Sequence, residues 1–362
     1  MKIFLIYGGK SEEHDVAILS AHSIVSNIYF DYYEVQLVYI TREGEWLKGR
    51  ILRSKEDIPS VEDMKLVKDE ESVSDMAVVG RAMSFNELQE ENAIAFPVLH
   101  GPNGEDGTIQ GMFETIGVPY VGTGVLGSSV AMDKSIAKVL FEQAGIPQVP
   151  YEKVWSREWA ADAETILDRC ENSLTYPIFV KPSNLGSSVG ISEATDRESL
   201  KVAITEAFRF DRTIVVEQGI DAKEIEVAIL GNDDVHASVP GELVKERKFY
   251  DYESKYLDNT VEMQIPAELP KDVENQVRKY AKDAFIAIDG SGLARADFFV
   301  TDDNKIFINE VNTFPGFTEY SMYPALWEAT GLTYSDIIEE LIQLGFQRFE
   351  EHKLFHQSGR DA

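Results

Sequence analysis

The sequence has one cysteine, Cys170, among 362 residues. A single thiol excludes an intramolecular disulfide and any zinc site that needs several cysteines. It also fits a reducing compartment, so we expect a cytoplasmic protein. Long apolar runs are missing too. The N-terminal run IFLIY stops at a double glycine, which is too short for a signal-peptide core and predicts a first strand instead. The longest uncharged stretch, residues 115–132, is interrupted by glycines and a proline and makes a poor membrane span.

Positive charge is scarce, because 34 Lys and Arg residues face 63 Asp and Glu residues, for a formal net charge of −29. Nucleic acids and anionic membranes repel such a chain, so neither is an expected partner. An anionic substrate would have to be held by local lysines and arginines against the overall field. The length and the remaining composition are typical of a soluble globular protein of two or three domains.

The order of predicted elements indicates several α/β units. KIFLIY, the turn GGKS and the helical pattern of EEHDVAILSAHSIVSNI form the opening strand, glycine turn and helix of a doubly wound α/β domain. A helix in MDKSIAKVLFEQAGI and a strand–turn–strand in YPIFVKPSNLGSSVGIS follow. A strand in EIEVAILGN, a hairpin and a C-terminal helix around residues 336–344 complete the chain. We predict α/β and α+β units at residues 1–126, 127–220 and 221–362.

Two apolar strands of the predicted hairpin carry polar side chains that need an explanation. Glu310 and Asn312 are two residues apart and share one strand face. A two-residue turn at Asp303 and Asn304 would place Asp297 directly opposite Glu310. At about 4 Å and an effective dielectric constant of about 20, the two carboxylates would repel by about 4 kcal/mol. A bound Mg²⁺ ion would remove this repulsion. The alternative is a solvent-facing acidic strand, although the apolar neighbours favour a buried sheet.

Two lysines lie where an anion would fit. Lys181 ends a strand and precedes the glycines and serines of NLGSSVG, whose N–H and hydroxyl groups can surround phosphate oxygens. An ordinary β-hairpin is the alternative. Lys134 begins a predicted helix, where the helix dipole disfavours a cation unless an anionic ligand is present. A solvated surface lysine is the alternative there.

These motifs, taken together and in order, resemble those of the D-alanine–D-alanine ligases of the ATP-grasp superfamily. The resemblance covers almost the whole chain and is carried by GGKSEEHDVAILSA, HGPNGEDGTIQG, MDK, VKPSNLGSSVGIS, VEQGIDAKEIEVAILGN, FYDYESKYLDN, GLARADFF and NEVNTFPGFT. It implies an ATP-grasp fold with an N-terminal Rossmann-like domain. It also implies ATP-dependent ligation of two D-alanine molecules through an acyl phosphate, for peptidoglycan precursor synthesis, by a homodimer.

The resemblance implies that ATP binds between the second and third units. Lys134 and Lys181 would contact the phosphates, and the turn at 186–190 would fold over them. Glu217 and Glu224 would hold polar groups of adenosine. The full nucleotide-binding set that it implies is Lys134, Lys181, Ser187, Ser188, Glu217, Glu224 and Lys255. Two Mg²⁺ ions, which Mn²⁺ can replace, would be held by Asp297, Glu310 and Asn312, with Glu310 bridging them.

The same resemblance implies an amino-acid pocket in the N-terminal unit. Glu13 would receive the ammonium group of the first D-alanine. Stabilisation of a helix that begins at Ser11 is the alternative role for this acid. His100 would line the same pocket, although a lone histidine more often satisfies a local hydrogen bond. Arg295 and the N–H of Gly316 would support the developing oxyanion.

For Arg295 the alternative is a structural salt bridge to Asp297 or Glu310, and both roles can coexist. Ser321, helped by Lys255, would bind the carboxylate of the second substrate. Ser187 and Tyr256 would form a hydrogen-bonded set with the carboxylate of Glu13.

Tyr256 lies in FYDYESKYLDN, which resembles the family's mobile loop, and its hydroxyl favours an amine as the second nucleophile. Aromatic packing among Phe249, Tyr250 and Tyr252 is the alternative. The charged segment VKERK before this loop departs from the family and leaves loop closure open. Two other functions also stay open at this stage: a ligase with a hydroxy acid or another amino acid as second substrate, and a non-catalytic ATP-binding protein.

Overall fold

The computed structural model describes residues 1–68, 78–186, 189–244 and 262–358. Its strands are β1 Lys2–Gly8, β2 Glu34–Ile40, β3 Trp46–Leu52, β4 Val67–Lys68, β5 Val79–Ala82, β6 Ala93–Val98, β7 Tyr151–Trp155, β8 Ile178–Pro182, β9 Ser192–Ala194, β10 Thr213–Gln218, β11 Lys223–Gly231, β12 His236–Ala237, β13 Gly241–Val244, β14 Glu262–Gln264, β15 Gly292–Val300 and β16 Ile306–Asn312. Its α-helices are α1 His14–Asn27, α2 Thr108–Ile116, α3 Val125–Met132, α4 Lys134–Gln143, α5 Ser156–Ala161, α6 Ala163–Ser173, α7 Arg197–Ala207, α8 Lys271–Ala287, α9 Met322–Thr330 and α10 Tyr334–Ser358. Within the described ranges no helix is both long and apolar enough to cross a membrane.

The first sheet has the strand order β4-β5-β3-β2-β1-β6, with β1 parallel to both β2 and β6. Six of the seven residues of β1 are buried, as expected for a parallel strand covered on both faces. The turn after β1 contains Gly8 and Gly9 at φ values of 91° and 98°, a conformation that favours glycine. The predicted strand, glycine turn and helix are therefore confirmed. The loops after β1 and β6 leave the carboxyl edge of the sheet, where open α/β sheets bind ligands.

The second sheet is antiparallel, in the order β7-β10-β8-β9. One face of β8 and β10, with Ile178, Val180, Ile214 and Val216, packs in a core that includes residues of α6 and α7. Because strand residues alternate between faces, Lys181 and Glu217 point away from that core, towards the third sheet. The predicted strand–turn–strand at 178–194 is present, with its residues 187 and 188 outside the described part.

The third sheet has the order β14-β13-β11-β15-β16, and β12 pairs with β11. Its apolar face contacts α8 through Val277, Ala281 and Phe285. The opposite face carries the polar residues of β15 and β16, so the helix side and the candidate site lie on opposite faces of one sheet.

The hairpin β15–β16 differs from its prediction in two ways that cancel. The loop has three residues, 302–304, because Thr301 N–H donates to the carbonyl of Lys305, and Asn304 takes a φ of 64°. The two-residue turn was therefore wrong, since Asn tolerates the left-handed conformation that closes a longer loop. A register shift after Asp297 then compensates, and Asp297 still pairs with Glu310 as predicted.

The C-terminal helix α10 is longer than predicted, extending to Ser358. Its buried residues Ile337, Ile338, Leu341 and Ile342 share one core with strands of the first sheet. The first and last parts of the chain therefore pack together directly, while the boundaries at residues 126 and 220 stay a prediction. Helix α3 was missed, because its segment follows one glycine, contains another and has no clear amphipathic period.

Candidate active site

Glu13 lies at the meeting point of three segments. It is the N-cap residue of α1, its carbonyl accepts Ala17 N–H at 3.0 Å, and the Ser11 hydroxyl accepts the Glu13 N–H at 3.2 Å. The helix thus begins two residues later than the Ser11 start that we expected. Glu13 is 9% exposed, and its Oε2 fills the space that a Cβ at Gly101 would need. A Cβ at Gly186, in the glycine turn of the second sheet, would be 3.5 Å from the same oxygen.

His100 uses both ring nitrogens in local hydrogen bonds. Nδ1 donates to the carbonyl of Phe314 at 3.1 Å, so the neutral ring accepts the Ser20 hydroxyl at Nε2, also at 3.1 Å. Burial lowers the pKa of His100, and the nearby Glu13 charge only partly opposes this. The local-bond alternative for His100 is therefore present in the structure, and its side chain is also close to the carboxylate of Glu13.

Glu105 was missed at the sequence level, although it lies in the motif HGPNGEDG. Its carboxyl group accepts the N–H of Gly101 at 2.6 Å and the N–H of Phe314 at 3.1 Å. Desolvation and the charge of Glu13 raise the pKa of Glu105 to about 8, against the lowering effects of the two N–H donors and Arg295. Its place in that motif, five residues after His100, is the sequence signal that could have found it.

The two predicted phosphate lysines converge on β16. Lys134 begins α4; its Nζ donates to the Leu185 carbonyl at 2.7 Å and lies 3.4 Å from Glu310 Oε2. Lys181 Nζ contacts Glu217 Oε2 at 2.6 Å and Asn309 Oδ1 at 3.2 Å. Both ammonium groups are therefore placed beside the strand that carries the predicted metal ligands.

Glu217 is held between two lysines, and one of them, Lys138, was not predicted. Lys138 Nζ contacts Glu217 Oε1 at 2.9 Å and lies 4.9 Å from the centre of the Tyr151 ring. Burial alone would raise the pKa of Glu217, but the ammonium groups of Lys138 and Lys181 hold it at about 2. Burial alone would lower the pKa of Lys181, yet Glu217 raises it. The trio thus contains one more positive than negative charge.

The predicted metal residues lie together on the polar face of the third sheet. Asp297 accepts two N–H groups of Arg295, at 2.7 Å each, and the amide of Asn312 at 2.9 Å. Arg295 Nε also lies 2.9 Å from Oε2 of Glu226, a residue that was missed. The alternative considered for Arg295, a structural salt bridge to Asp297, is therefore present in the structure.

The three predicted metal residues form a ligand set that suits a hard cation whose other ligands include phosphate oxygens. Asp297, Glu310 and Asn312 offer only oxygen ligands. Asp297 Oδ2 accepts two N–H groups, from Arg295 and Asn312, whereas Asp297 Oδ1 accepts one from Arg295 and keeps a second lone pair for a metal ion. In the described part of the chain, no three His, Cys, Asp or Glu side chains form a metal-binding group. A site with two carboxylates and an amide therefore needs phosphate oxygens or water to complete the coordination of Mg²⁺, which is the usual arrangement for nucleotide-bound Mg²⁺.

The remaining substrate residues lie on the loop after β16. Gly316 is half-buried between Phe314 and Phe317. Ser321 is the N-cap residue of α9, and its hydroxyl accepts the N–H of Thr318 at 2.9 Å. A helix N-terminus beside a hydroxyl group suits a carboxylate.

Some predicted residues receive no direct description. Ser187, Ser188, Lys255 and Tyr256 lie outside the described residues. Glu224 is half-buried on β11, and its charge contributes to the raised pKa of Lys181, which places the two side chains near each other.

Comparison with known proteins gives matches along nearly the whole chain. Residues 2–123 match a family model described as D-ala D-ala ligase N-terminus, and residues 140–343 match one described as D-ala D-ala ligase C-terminus. A D-alanine–D-alanine ligase of Enterococcus faecalis is 55% identical over 97% of this chain and 100% of its own length.

Two solved structures are similar over almost all of both chains. The D-alanine–D-alanine ligase of Coxiella burnetii has a TM-score of 0.82 at 31% identity, covering 99% of this chain and 97% of its own. The VanG D-Ala:D-Ser ligase of Enterococcus faecalis has a TM-score of 0.79 at 33% identity, covering 95% and 99%. Both likenesses therefore extend over nearly the whole chain.

Proposed function

The chain belongs to the D-alanine–D-alanine ligase family, and from this premise we propose that it joins two D-alanine molecules into D-alanyl-D-alanine while ATP is converted to ADP and phosphate. The product serves peptidoglycan precursor synthesis. The predicted ATP-grasp fold with a Rossmann-like N-terminal domain is confirmed by the family. One observation carries the proposal: the Glu13 pocket, the two phosphate lysines and the acidic strand pair lie around one junction of the three sheets.

In the first step, a carboxylate oxygen of one D-alanine attacks the γ-phosphorus of ATP. A new O–P bond forms, the P–O bond to ADP breaks, and an acyl phosphate results. Two anionic reactants must meet, so local cations have to dominate. Lys134 and Lys181 supply fixed positive charge on one side. Two Mg²⁺ ions, held by Asp297, Glu310 and Asn312, would neutralise the phosphate oxygens, and Mn²⁺ would substitute for them.

In the second step, the neutral amine of the other D-alanine attacks the acyl carbon. The C–N bond forms, the C–O bond to phosphate breaks, and the amine proton is released. Negative charge develops on the carbonyl oxygen, where Arg295 and the N–H of Gly316 would donate. Contacts to Asp297 and Glu226 hold the guanidinium group in place. Preorganised donors of this kind typically contribute about 3–4 kcal/mol to the transition state.

The amino-acid groups have separate proposed sites. Glu13 would bind the ammonium group of the first D-alanine, with His100 beside it. Ser321, at the N-terminus of α9, would bind the carboxylate of the second substrate together with Lys255. Tyr256 and Ser187 would complete the hydrogen-bonded set around Glu13, an inference that rests on the family motifs alone.

The nucleotide would lie between the second and third sheets. We assign its phosphates to Lys134 and Lys181, with the N–H groups and hydroxyls of Ser187 and Ser188 folded over them. Glu217 and Glu224 would bind polar groups of adenosine, and Lys255 would be a further contact to the nucleotide. The first D-alanine pocket would then lie in the unit of residues 1–126, and the metal site would lie in the unit of residues 221–362.

A cytoplasmic homodimer is proposed by analogy with the family. The net charge of −29 argues against nucleic acids and anionic membranes as partners.

An assay of the purified protein with ATP, Mg²⁺ and D-alanine tests the function. We expect phosphate release that requires D-alanine, with the dipeptide identified by mass spectrometry. Product that forms only after D-lactate or D-serine is added would instead establish a different second substrate. Nucleotide binding without any turnover would establish the non-catalytic alternative.

A further inference from the structure

The carboxyl group of Glu105 joins two loops from opposite ends of the chain. It accepts the N–H of Gly101 at 2.6 Å through Oε2 and the N–H of Phe314 at 3.1 Å through Oε1. Gly101 is packed directly against the carboxylate of Glu13. Phe314 lies two residues before Gly316. One side chain therefore connects the proposed ammonium site with the proposed oxyanion donor.

The loop at residues 313–317 is also held to the N-terminal unit at two other points. His100 Nδ1 donates to the Phe314 carbonyl at 3.1 Å. The Ser20 hydroxyl accepts the Phe317 N–H at 3.2 Å. These bonds fix the backbone on both sides of Gly316, so the direction of its N–H depends on side chains of the N-terminal unit.

Of the three side chains Glu105, His100 and Ser20, Glu105 is the one that bonds to the backbone of both loops, at Gly101 and at Phe314. Its two oxygens accept one N–H each, an arrangement that a carboxyl group satisfies in either protonation state. Burial and the charge of Glu13 raise the pKa of Glu105 to about 8, and the two N–H donors oppose this rise. The geometry of the two acceptor atoms is what matters.

Resting on the ligase function proposed above, we infer that Glu105 is a positioning residue for the reaction. It holds the loop at 313–317, and hence the N–H of Gly316, at a fixed place relative to the Glu13 pocket. The carbonyl group of the first D-alanine then meets its oxyanion donor without reorganisation of the loop. Small misplacements of such groups cost rate, since an error of about 1 Å can cost about a hundredfold.

Glu105→Gln tests this inference, because the amide keeps the volume but has only one acceptor oxygen. Its NH₂ group would face an N–H donor, and one of the two bonds would be lost. We expect amide hydrogen exchange across residues 313–317 to accelerate at least about tenfold, because an opened bond is needed for exchange. The value of kcat should fall at least about tenfold with KM for D-alanine changed less than about threefold, as for an interaction that acts in the transition state.

Matched measurements separate positioning from general damage. Glu105→Ala, which removes both bonds, should exceed Glu105→Gln in both effects. Glu91→Gln, at an exposed glutamate before β6, should behave as the wild type. ADP binding by calorimetry should stay within about twofold in all variants, because the nucleotide site is built from other residues.

Unchanged exchange across 313–317 in Glu105→Gln would overturn the inference, and so would faster exchange with an unaltered kcat. Acceleration that spreads equally over β6 and α1 would indicate loss of stability instead of positioning. If the wild-type protein does not ligate D-alanine, the proposed function fails, while the exchange comparison still decides whether Glu105 holds the loop.

Discussion

Lys138 Nζ lies 2.9 Å from Glu217 Oε1, and both side chains are almost hidden from solvent, at 2% and 4% exposure. The other carboxylate oxygen contacts Lys181 at 2.6 Å. A lone ammonium group at such depth would be very unfavourable, so Glu217 makes the buried lysine pair possible. Since one carboxylate faces two ammonium groups, one positive charge remains for a phosphate group.

Lys138→Met should weaken nucleotide binding although Lys138 is not among the residues proposed to contact ATP. The variant leaves Glu217 neutralised by Lys181, and the excess positive charge is lost. We expect the Kd for ADP, measured by calorimetry, to rise at least about tenfold, or about 1.4 kcal/mol. Because Glu217 keeps Lys181 as its partner, no uncompensated buried charge is left, and the free energy of unfolding should fall by less than about 3–5 kcal/mol, which is the cost of an unpaired buried charge.

Lys201→Met is the matched control, because Lys201 is an exposed lysine on α7 that pairs with Glu164. It should leave both ADP binding and stability close to the wild type. Wild-type affinity for ADP in Lys138→Met would show that the charge of Lys138 does not reach the phosphate site.

The same trio predicts a pH dependence of stability. The folded-state pKa of Glu217 is about 2, below the unfolded value near 4.5, because two ammonium groups outweigh desolvation. Its contribution is therefore present above about pH 4.5 and is lost as the pH falls towards 2, with a total of about 3 kcal/mol.

Denaturant unfolding of the wild type and Glu217→Gln between pH 5 and pH 2 measures this contribution. We expect the wild type to lose stability more steeply with falling pH, so that the difference between the two proteins shrinks. Parallel curves over this range would show that the carboxylate is not stabilised by its lysines.

Most elements near the site followed from local patterns. The strand before Glu13 is a continuous apolar run that ends at two glycines, and the helix after it has apolar residues at helical spacing. Asp297 and Glu310 were correctly paired across their hairpin. The pairing was right although the turn was wrong, because the additional loop residue and the register shift compensate each other. Sequence patterns do not reveal such bulges, since they depend on the neighbouring backbone.

The missed residues act through contacts that are distant in sequence. Glu105 reaches Phe314, and Lys138 reaches Glu217, through the packing of separate sheets. Lys138 follows Lys134 by one helical turn, and that spacing alone could have drawn attention to it. The nearly complete burial of Lys138 could not be predicted from a helical sequence pattern that contains lysines, because most lysines in proteins are exposed.

Glu310→Ala should abolish turnover while leaving the fold intact. Glu310 is half-buried, pairs with Asp297 across the hairpin and lies 3.4 Å from Lys134. Its removal takes away a proposed metal ligand, and we expect kcat to fall at least about a hundredfold. Circular dichroism should be unchanged, because the apolar face of β16 is untouched.

Asp303→Ala, in the exposed loop of the same hairpin, is the control and should retain activity. Magnesium titration of ADP binding gives a second measurement. If Glu310→Ala kept the magnesium dependence of the wild type, the acidic strand pair would not be the metal site.

Tyr256→Phe tests the choice of second substrate that the sequence motif predicts, at a position outside the described residues. D-Alanine must attack as a neutral amine, and low pH converts that amine to an unreactive ammonium group. The hydroxyl group of D-lactate stays neutral over the same pH range. Without the tyrosine hydroxyl to orient the amine, we expect the share of D-lactate product to rise, most strongly at low pH, where protonation depletes the amine competitor. The two products are compared by mass spectrometry with both substrates present, and Tyr32→Phe, at an exposed tyrosine, serves as the control. A product ratio that is the same in Tyr256→Phe and the wild type across this range would remove Tyr256 as the selector and assign that role to the remainder of its loop.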